Sequence, residues 1–154
     1  MDVPREGRAS LEQILEESFD GWYLRHSKGI LRDSETVRAA MSSGEPVGLL
    51  IPKPLGPGVA YVYYIAVARD RRRRGVARAL LNDALARFRA EGMVEVFTSV
   101  EVDNAPSEEL FASEGFARTN FGEVSRKYGP LRALNMYRMM VAVPGEVLLH
   151  KTIG

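Results

Sequence analysis

Six arginines fall within the ten positions from Arg69 to Arg78, and three of them run into a glycine and a small residue: Arg72-Arg73-Arg74-Gly75-Val76-Ala77. At a strand-to-helix junction such a run would grip an anion. The first turn of a helix presents N–H groups with no intrahelical acceptor, at the positive end of the helix dipole. That arrangement binds phosphate. Gly75 lets a bulky anion approach the backbone, Ala77 keeps the next position small, and the arginines, Arg78 included, add attraction and charge-assisted hydrogen bonds. With a formal net charge of only +1, this clustering suits a local anionic ligand, and no nucleic-acid partner is expected. Two other phosphate loops are excluded. The chain has no Gly-x-x-x-x-Gly-Lys-[Ser/Thr], and Gly75 is the only glycine in the turn, so Gly-x-Gly-x-x-Gly fails as well.

The neighbouring elements must supply that junction. Val59 to Val67, aromatic and β-branched almost throughout, is the strongest strand in the chain. From Gly75 a helix follows: Val76, Leu80, Leu81, Ala84, Leu85 and Phe88 form one apolar stripe, and Gly92 stands where a C′ glycine belongs. Met93 to Val102 reads as a strand with apolar residues alternating from Val94, and Asn104 to Glu114 as a helix closed by Gly115. Upstream, Ser10 and Gln13 form a capping box before Leu11, Ile14, Leu15 and Phe19, and Gly21 ends or bends that helix. Trp22 to Ser34 suits a second short helix or an ordered loop. Val37–Met41 and Pro46–Ile51 make a hairpin, and Pro52, Pro54, Gly56, Pro57 and Gly58 a stiff loop. Downstream, Phe116–Val124 and Met136–Val143 read as strands separated by a loop at Arg126–Asn135. The order predicts an α/β fold with a mixed sheet in one domain over residues 1–154. The strand–helix–strand unit at about 59–102 should cross over right-handed, which makes its strands parallel.

Composition removes other chemistries. Without cysteine there is no thiol nucleophile, thiolate metal site or disulfide. His26 and His150 have no partner at metal-ligand spacing, so no metal is expected. No apolar run approaches the ~20 residues of a spanning helix, and Met1–Ser10 lacks the apolar stretch of a secretory signal. A soluble cytoplasmic protein with no membrane partner is the expectation.

Arg72-x-x-Gly75-x-Ala77 matches the [Gln/Arg]-x-x-Gly-x-[Gly/Ala] signature of the GNAT superfamily, the GCN-five-related N-acetyltransferases. Ile65-Ala66-Val67 stands where that family has its hydrophobic strand end, and Asn104, Leu110 and Gly115-Phe116 resemble its Asn-x-x-Ala-x-x-Leu-Tyr-x-x-x-Gly-Phe block. The resemblance implies a mostly antiparallel mixed sheet flanked by helices, with acetyl-coenzyme A as cofactor. Amides from Arg73 to Arg78 would bind its pyrophosphate, and main-chain groups of Ile65 and Val67 would pair with the pantetheine arm. An N–H near Ile65 would polarise the thioester carbonyl, and Asn104 with the helix after it would line the thiol end. The activity implied is transfer of an acetyl group to a primary amine, on a small molecule or a protein, by direct attack in a ternary complex. A homodimer is left open.

Two departures matter. Phe111 stands where many relatives carry a tyrosine that protonates the leaving thiolate. Residues 59–67 hold no carboxylate to act as a base, which leaves Tyr61, Tyr63 and Tyr64, with Glu101 on the neighbouring strand. All four also read as core or sheet-face residues, and Asn104 as a helix cap. The departures keep a second reading in play, a non-catalytic coenzyme A-binding or regulatory module. Trp22, Tyr23 and His26 lie where the family's first helices cover the acceptor. Tyr128 with Ala133–Met136 loosely resembles the last loop of ribosomal-protein N-terminal acetyltransferases. Relatives open with a strand; at Met1–Ala9 one is expected to be very short or missing.

Overall fold

The computed structural model describes residues 1–141 and 143–154. A 3-10 turn at Arg5–Leu11 leads into α1 (Glu12–Ser18) and α2 (Gly21–Asp33). Then come β1 (Arg38–Ser42), β2 (Glu45–Gly56), β3 (Val59–Val67), α3 (Val76–Ala90), β4 (Glu95–Glu101) and α4 (Ala105–Ser113). The chain finishes with β5 (Ala117–Thr119), α5 (Phe121–Tyr128), α6 (Pro130–Met140) and β6 (Glu146–Thr152). The strands order as β1-β2-β3-β4-β6-β5 in one mixed, mostly antiparallel sheet. β3 and β4 are parallel, with Val59–Val62 registered against Glu95–Thr98. Helices flank the sheet, as expected for this α/β class. Among the described residues no helix is long and apolar enough to cross a membrane.

Two compact units are distinguishable, Met1–Lys53 with Tyr63–Arg87, and Pro54–Val62 with Phe88–Gly154; β2, β3 and α3 run through both. In the first, Leu11, Ile14, Leu15, Leu31, Leu49, Ile51 and Ala66 form a continuous apolar core. Arg8 is buried beside it because its guanidinium ends the second helix: it donates to the carbonyls of Leu31 (3.0 Å) and Ser34 (2.5 Å), and also to Val3 (3.2 Å). Those helix-end carbonyls have no intrahelical donor.

Several boundaries differ from the sequence expectation. Ser10 is not a cap; its hydroxyl donates to the Gly7 carbonyl (2.8 Å) within the 3-10 turn, and α1 starts at Glu12. Gly21 starts α2 rather than ending α1, after an extended Asp20. The proline-rich stretch continues β2 as far as Gly56, leaving only Pro57-Gly58 as the turn into β3. Met1–Ala9 contributes a single bridge, Asp2 to Arg38. The alternation read in β4 fails: Glu95, Val96, Phe97 and Thr98 are all buried, so both faces are covered there. The strand expected at Phe116–Val124 shrinks to β5 followed by α5, and the one expected at Met136–Val143 falls largely in α6, with Ala142 outside the described residues. The loop expected at Arg126–Asn135 is likewise helical, falling in α5 and α6. The last strand, β6, had no sequence expectation.

Gly48 is what lets α3 lie close on β2 and β3. A Cβ there would stand 2.9 Å from a Val76 methyl, 3.0 Å from a Leu80 methyl and 3.2 Å from the Ala66 carbonyl oxygen. Overpacking of this kind costs about 1–3 kcal/mol. Gly48→Ala is therefore expected to lower the unfolding free energy by that amount, seen as a lower urea midpoint at unchanged m-value; a midpoint equal to wild type would show that α3 shifts freely.

Candidate active site

The arginine-glycine turn is built by backbone handedness. After β3 the Ala68 N–H is tied to the Val47 carbonyl (2.8 Å), and a short 3-10 turn at Arg69–Arg71 delivers the chain to Arg72. Arg73 (φ 63°) and Gly75 (φ 79°) are both left-handed, and α3 begins at Val76, with the Ala79 N–H bonded to the Gly75 carbonyl at 3.0 Å. Left-handed residues at a helix entrance turn successive N–H groups toward one concavity, the form that holds anions. A side chain in this conformation costs roughly 1–2 kcal/mol, so Arg73 stores strain at this point. Arg72 to Gly75 are exposed, and no other atom lies within 4 Å of a Cβ position at Gly75. Arg72 is spoken for. Its guanidinium donates to the Val67 carbonyl (3.2 Å), the Glu17 carbonyl (2.9 Å) and the Ser18 hydroxyl (3.3 Å), bracing the turn against the end of α1.

The registered pairing of β3 with β4 covers Val59–Val62, while β3 itself continues through Tyr63, Tyr64, Ile65, Ala66 and Val67. Ile65 and Val67 are half-buried and Ala66 buried. Tyr61 is a core residue, its hydroxyl donating to the Ser99 hydroxyl at 2.9 Å. Tyr63 is half-buried, with the Lys53 ammonium 5.4 Å from its ring centroid.

In the second unit, Glu101 ends β4 half-buried and Asn104 caps α4, its side-chain oxygen accepting from the Ser107 N–H at 3.3 Å. Phe111 is 1% exposed and stacks edge-on against Phe116 at 5.2 Å. It offers no proton and no open face. Among the described residues no group of three or more His, Asp or Glu side chains could hold a metal ion.

The contact that sequence reasoning missed is an aromatic cluster in the first unit. The His26 ring lies parallel to Trp22 (4.7 Å, 9°) and beside Tyr63 (5.6 Å) and Tyr64 (5.8 Å). Its Nδ1 is 2.5 Å from the Tyr64 hydroxyl. Phe19 meets the same tyrosine edge-on at 5.3 Å. Burial, and then the Lys53 charge, push the His26 imidazole below its ordinary value. Helical spacing places Trp22 and His26 one turn apart, which was legible; their meeting with β3 was not.

The acetyltransferase (GNAT) family model matches residues 7–116. The chain belongs to the GNAT acetyltransferase family. Its fold is shared with the ribosomal-protein-S18-alanine N-acetyltransferase of Escherichia coli, at 17% identity and TM-score 0.75 over 100% of this chain and 92% of that one. Ard1 from Thermoplasma volcanium superposes with TM-score 0.74 at 18% identity, over 99% and 95% of the two chains. The PaiA N-acetyltransferase of Thermoplasma acidophilum, solved in complex with coenzyme A, gives TM-score 0.73 at 11% identity, over 99% and 96%. No curated protein sequence matches the chain significantly.

Proposed function

We propose that this protein transfers an acetyl group from acetyl-coenzyme A to a primary amine, on a small molecule or a protein, by direct attack in a ternary complex. The observation that carries this reading is the exposed, left-handed turn at Arg73–Gly75 opening onto α3. Amides from Arg73 to Arg78 hold the pyrophosphate, and Arg73 and Arg74 add charge. Arg72 keeps the turn in place rather than reaching the ligand. Ile65 and Val67 extend the pantetheine arm along β3. The Val67 carbonyl already accepts from Arg72, so the N–H of that residue is the better partner. The N–H near Ile65 orients the thioester carbonyl and favours charge developing on its oxygen. Acetyl-coenzyme A supplies the electrophilic carbonyl and a leaving thiol of pKa ~8.5, for which no strong acid is essential.

Calorimetry with coenzyme A tests the reading directly. Ligand at 100 times its dissociation constant stabilises a fold by ~2.7 kcal/mol, which appears as a melting shift. No binding at millimolar coenzyme A sinks the proposal. The rival reading, a coenzyme A-binding module without turnover, is favoured by the buried Phe111. Thiol release with any amine of a broad panel rules it out.

Phe111→Tyr separates two demands on that position. Thiol release should be equal to wild type or higher. The added hydroxyl enters a site 1% exposed, so stability should fall by about 1–3 kcal/mol unless it finds a partner. Severe loss of turnover with unchanged melting would show that Phe111 does not occupy the acid position.

A further inference from the structure

We propose that the Tyr64 hydroxyl and the His26 imidazole behind it form the proton relay that neutralises the incoming amine. This rests on the acetyl-transfer reading above and deepens it. β3 carries no carboxylate between Val59 and Val67, yet an amine arriving as an ammonium ion must lose a proton before its lone pair can attack. Tyr64 directly precedes Ile65, the residue assigned to the thioester carbonyl, so its side chain leaves the backbone one residue from the reacting group. The hydroxyl is 2.5 Å from His26 Nδ1. Trp22 lies parallel to the imidazole and Tyr63 flanks it, which fixes the ring plane and keeps Nδ1 aimed at that oxygen.

The groups that face His26 favour its neutral form. From β2 comes the Lys53 charge, from β3 the rings of Tyr63 and Tyr64, from its own helix Trp22, and the end of α1 contributes Phe19 to the same cluster. None of these is a carboxylate. A neutral imidazole with its proton on Nε2 accepts at Nδ1 from the tyrosine hydroxyl. The other histidine, His150, is bonded to Glu95 in the second unit.

The steps balance. The ammonium gives one proton to the Tyr64 oxygen as the Tyr64 hydroxyl proton passes to Nδ1, leaving a neutral amine and an imidazolium. The amine nitrogen then bonds to the thioester carbon, the carbon–sulfur bond breaks, and the second nitrogen proton leaves with the thiolate as free thiol. His26 returns its proton to solvent. Tyr64, 9% exposed at the edge of the first unit's apolar core, is the relay member next in sequence to Ile65, and His26 acts through it.

The test uses the full-length protein, acetyl-coenzyme A and the amine of a broad panel that wild type turns over fastest. His26→Gln and Tyr64→Phe should each lower kcat/KM at neutral pH about 100-fold, the lower range for general acid–base catalysis. The loss should shrink as pH rises and the amine deprotonates unaided, while coenzyme A affinity and melting temperature stay near wild type. A merely structural role would move affinity or melting and leave the shape of the pH profile alone. If wild type acetylates the amine and both variants keep its pH profile, the relay is wrong and the acetyl-transfer reading stands. If coenzyme A binds but no amine is acetylated, both fail together. Should Tyr64→Phe unfold the chain, His26→Gln alone decides by the same profile.

Discussion

Gly75→Glu is expected to weaken coenzyme A binding at least 100-fold, to the point where calorimetry at micromolar protein records no heat. Two costs combine at that position. The residue sits at φ 79°, where any side chain is strained by roughly 1–2 kcal/mol. The second cost is electrostatic. A carboxylate within ~4 Å of a phosphate repels it by about 1 kcal/mol in bulk water and about 4 kcal/mol at the effective dielectric near a protein surface. At ~1.4 kcal/mol per factor of ten, the repulsion of about 4 kcal/mol near a protein surface by itself exceeds two decades of affinity. Steric overlap inside the protein adds nothing, because the space around Gly75 is empty. That emptiness gives a clean control. Gly75→Ala shares the strained backbone but carries no charge, so it should lose only about tenfold. Equal losses in the two variants would assign the effect to backbone geometry alone. Unchanged binding in both would move the pyrophosphate away from this turn.

The turn was legible in the sequence because its chemistry is local. Arginine, glycine and alanine at fixed spacing between an evident strand and an evident amphipathic helix specify handedness and charge without knowledge of distant residues. β3 and the buried stripe of α3 from Leu80 to Phe88 were legible for the same reason. What failed was tertiary. The alternation of apolar residues from Val94 left the burial of Glu95 unforeseen: α5 covers that face, with Tyr128 over Phe97 at 6.3 Å. The helical pair α5–α6 had readable signals that the short apolar runs outweighed. Asn120 caps α5 by accepting from the Glu123 N–H at 3.0 Å, an Asn-x-x-Glu capping pattern. Gly129-Pro130 then supplies a C′ glycine at φ 89° followed directly by a proline at N1. Tyr64 illustrates the remaining gap. As a strand aromatic it reads as core, and only the fold reveals that its hydroxyl meets a histidine 38 positions earlier.

Glu95→Gln should cost about 3–5 kcal/mol, the range for breaking a buried charge pair by removing one partner. Glu95 is 4% exposed and lies opposite Thr152 and diagonal to His150, which is registered against Phe97. Strand alternation therefore puts Glu95, Phe97, His150 and Thr152 on one face, under Lys127 and Tyr128 of α5. Lys127, His150 and Thr152 (3.0 Å) all donate to the carboxylate. Glutamine keeps the shape but presents an NH₂ where an acceptor is needed, and it leaves two cationic or donor groups facing each other. Lys127 is half-exposed and can turn to water, so the loss should fall near the lower end of the range. The pH dependence carries the diagnosis. Burial pushes the Glu95 carboxyl up, but the bonds from Lys127, His150 and Thr152 together outweigh it and hold the group below its ordinary value. A depressed carboxylate stabilises the fold fully above the ordinary glutamate range, and that contribution disappears as pH falls through the lower folded-state value. Tyr128, raised to about 12 by burial and then by the Glu95 charge, stays protonated throughout. Urea midpoints of wild type should therefore fall toward acid more steeply than those of Glu95→Gln, with the two curves converging at the acid end. Parallel curves would mean that the carboxylate is already protonated in the fold, and that packing, not charge, fastens α5 to the sheet.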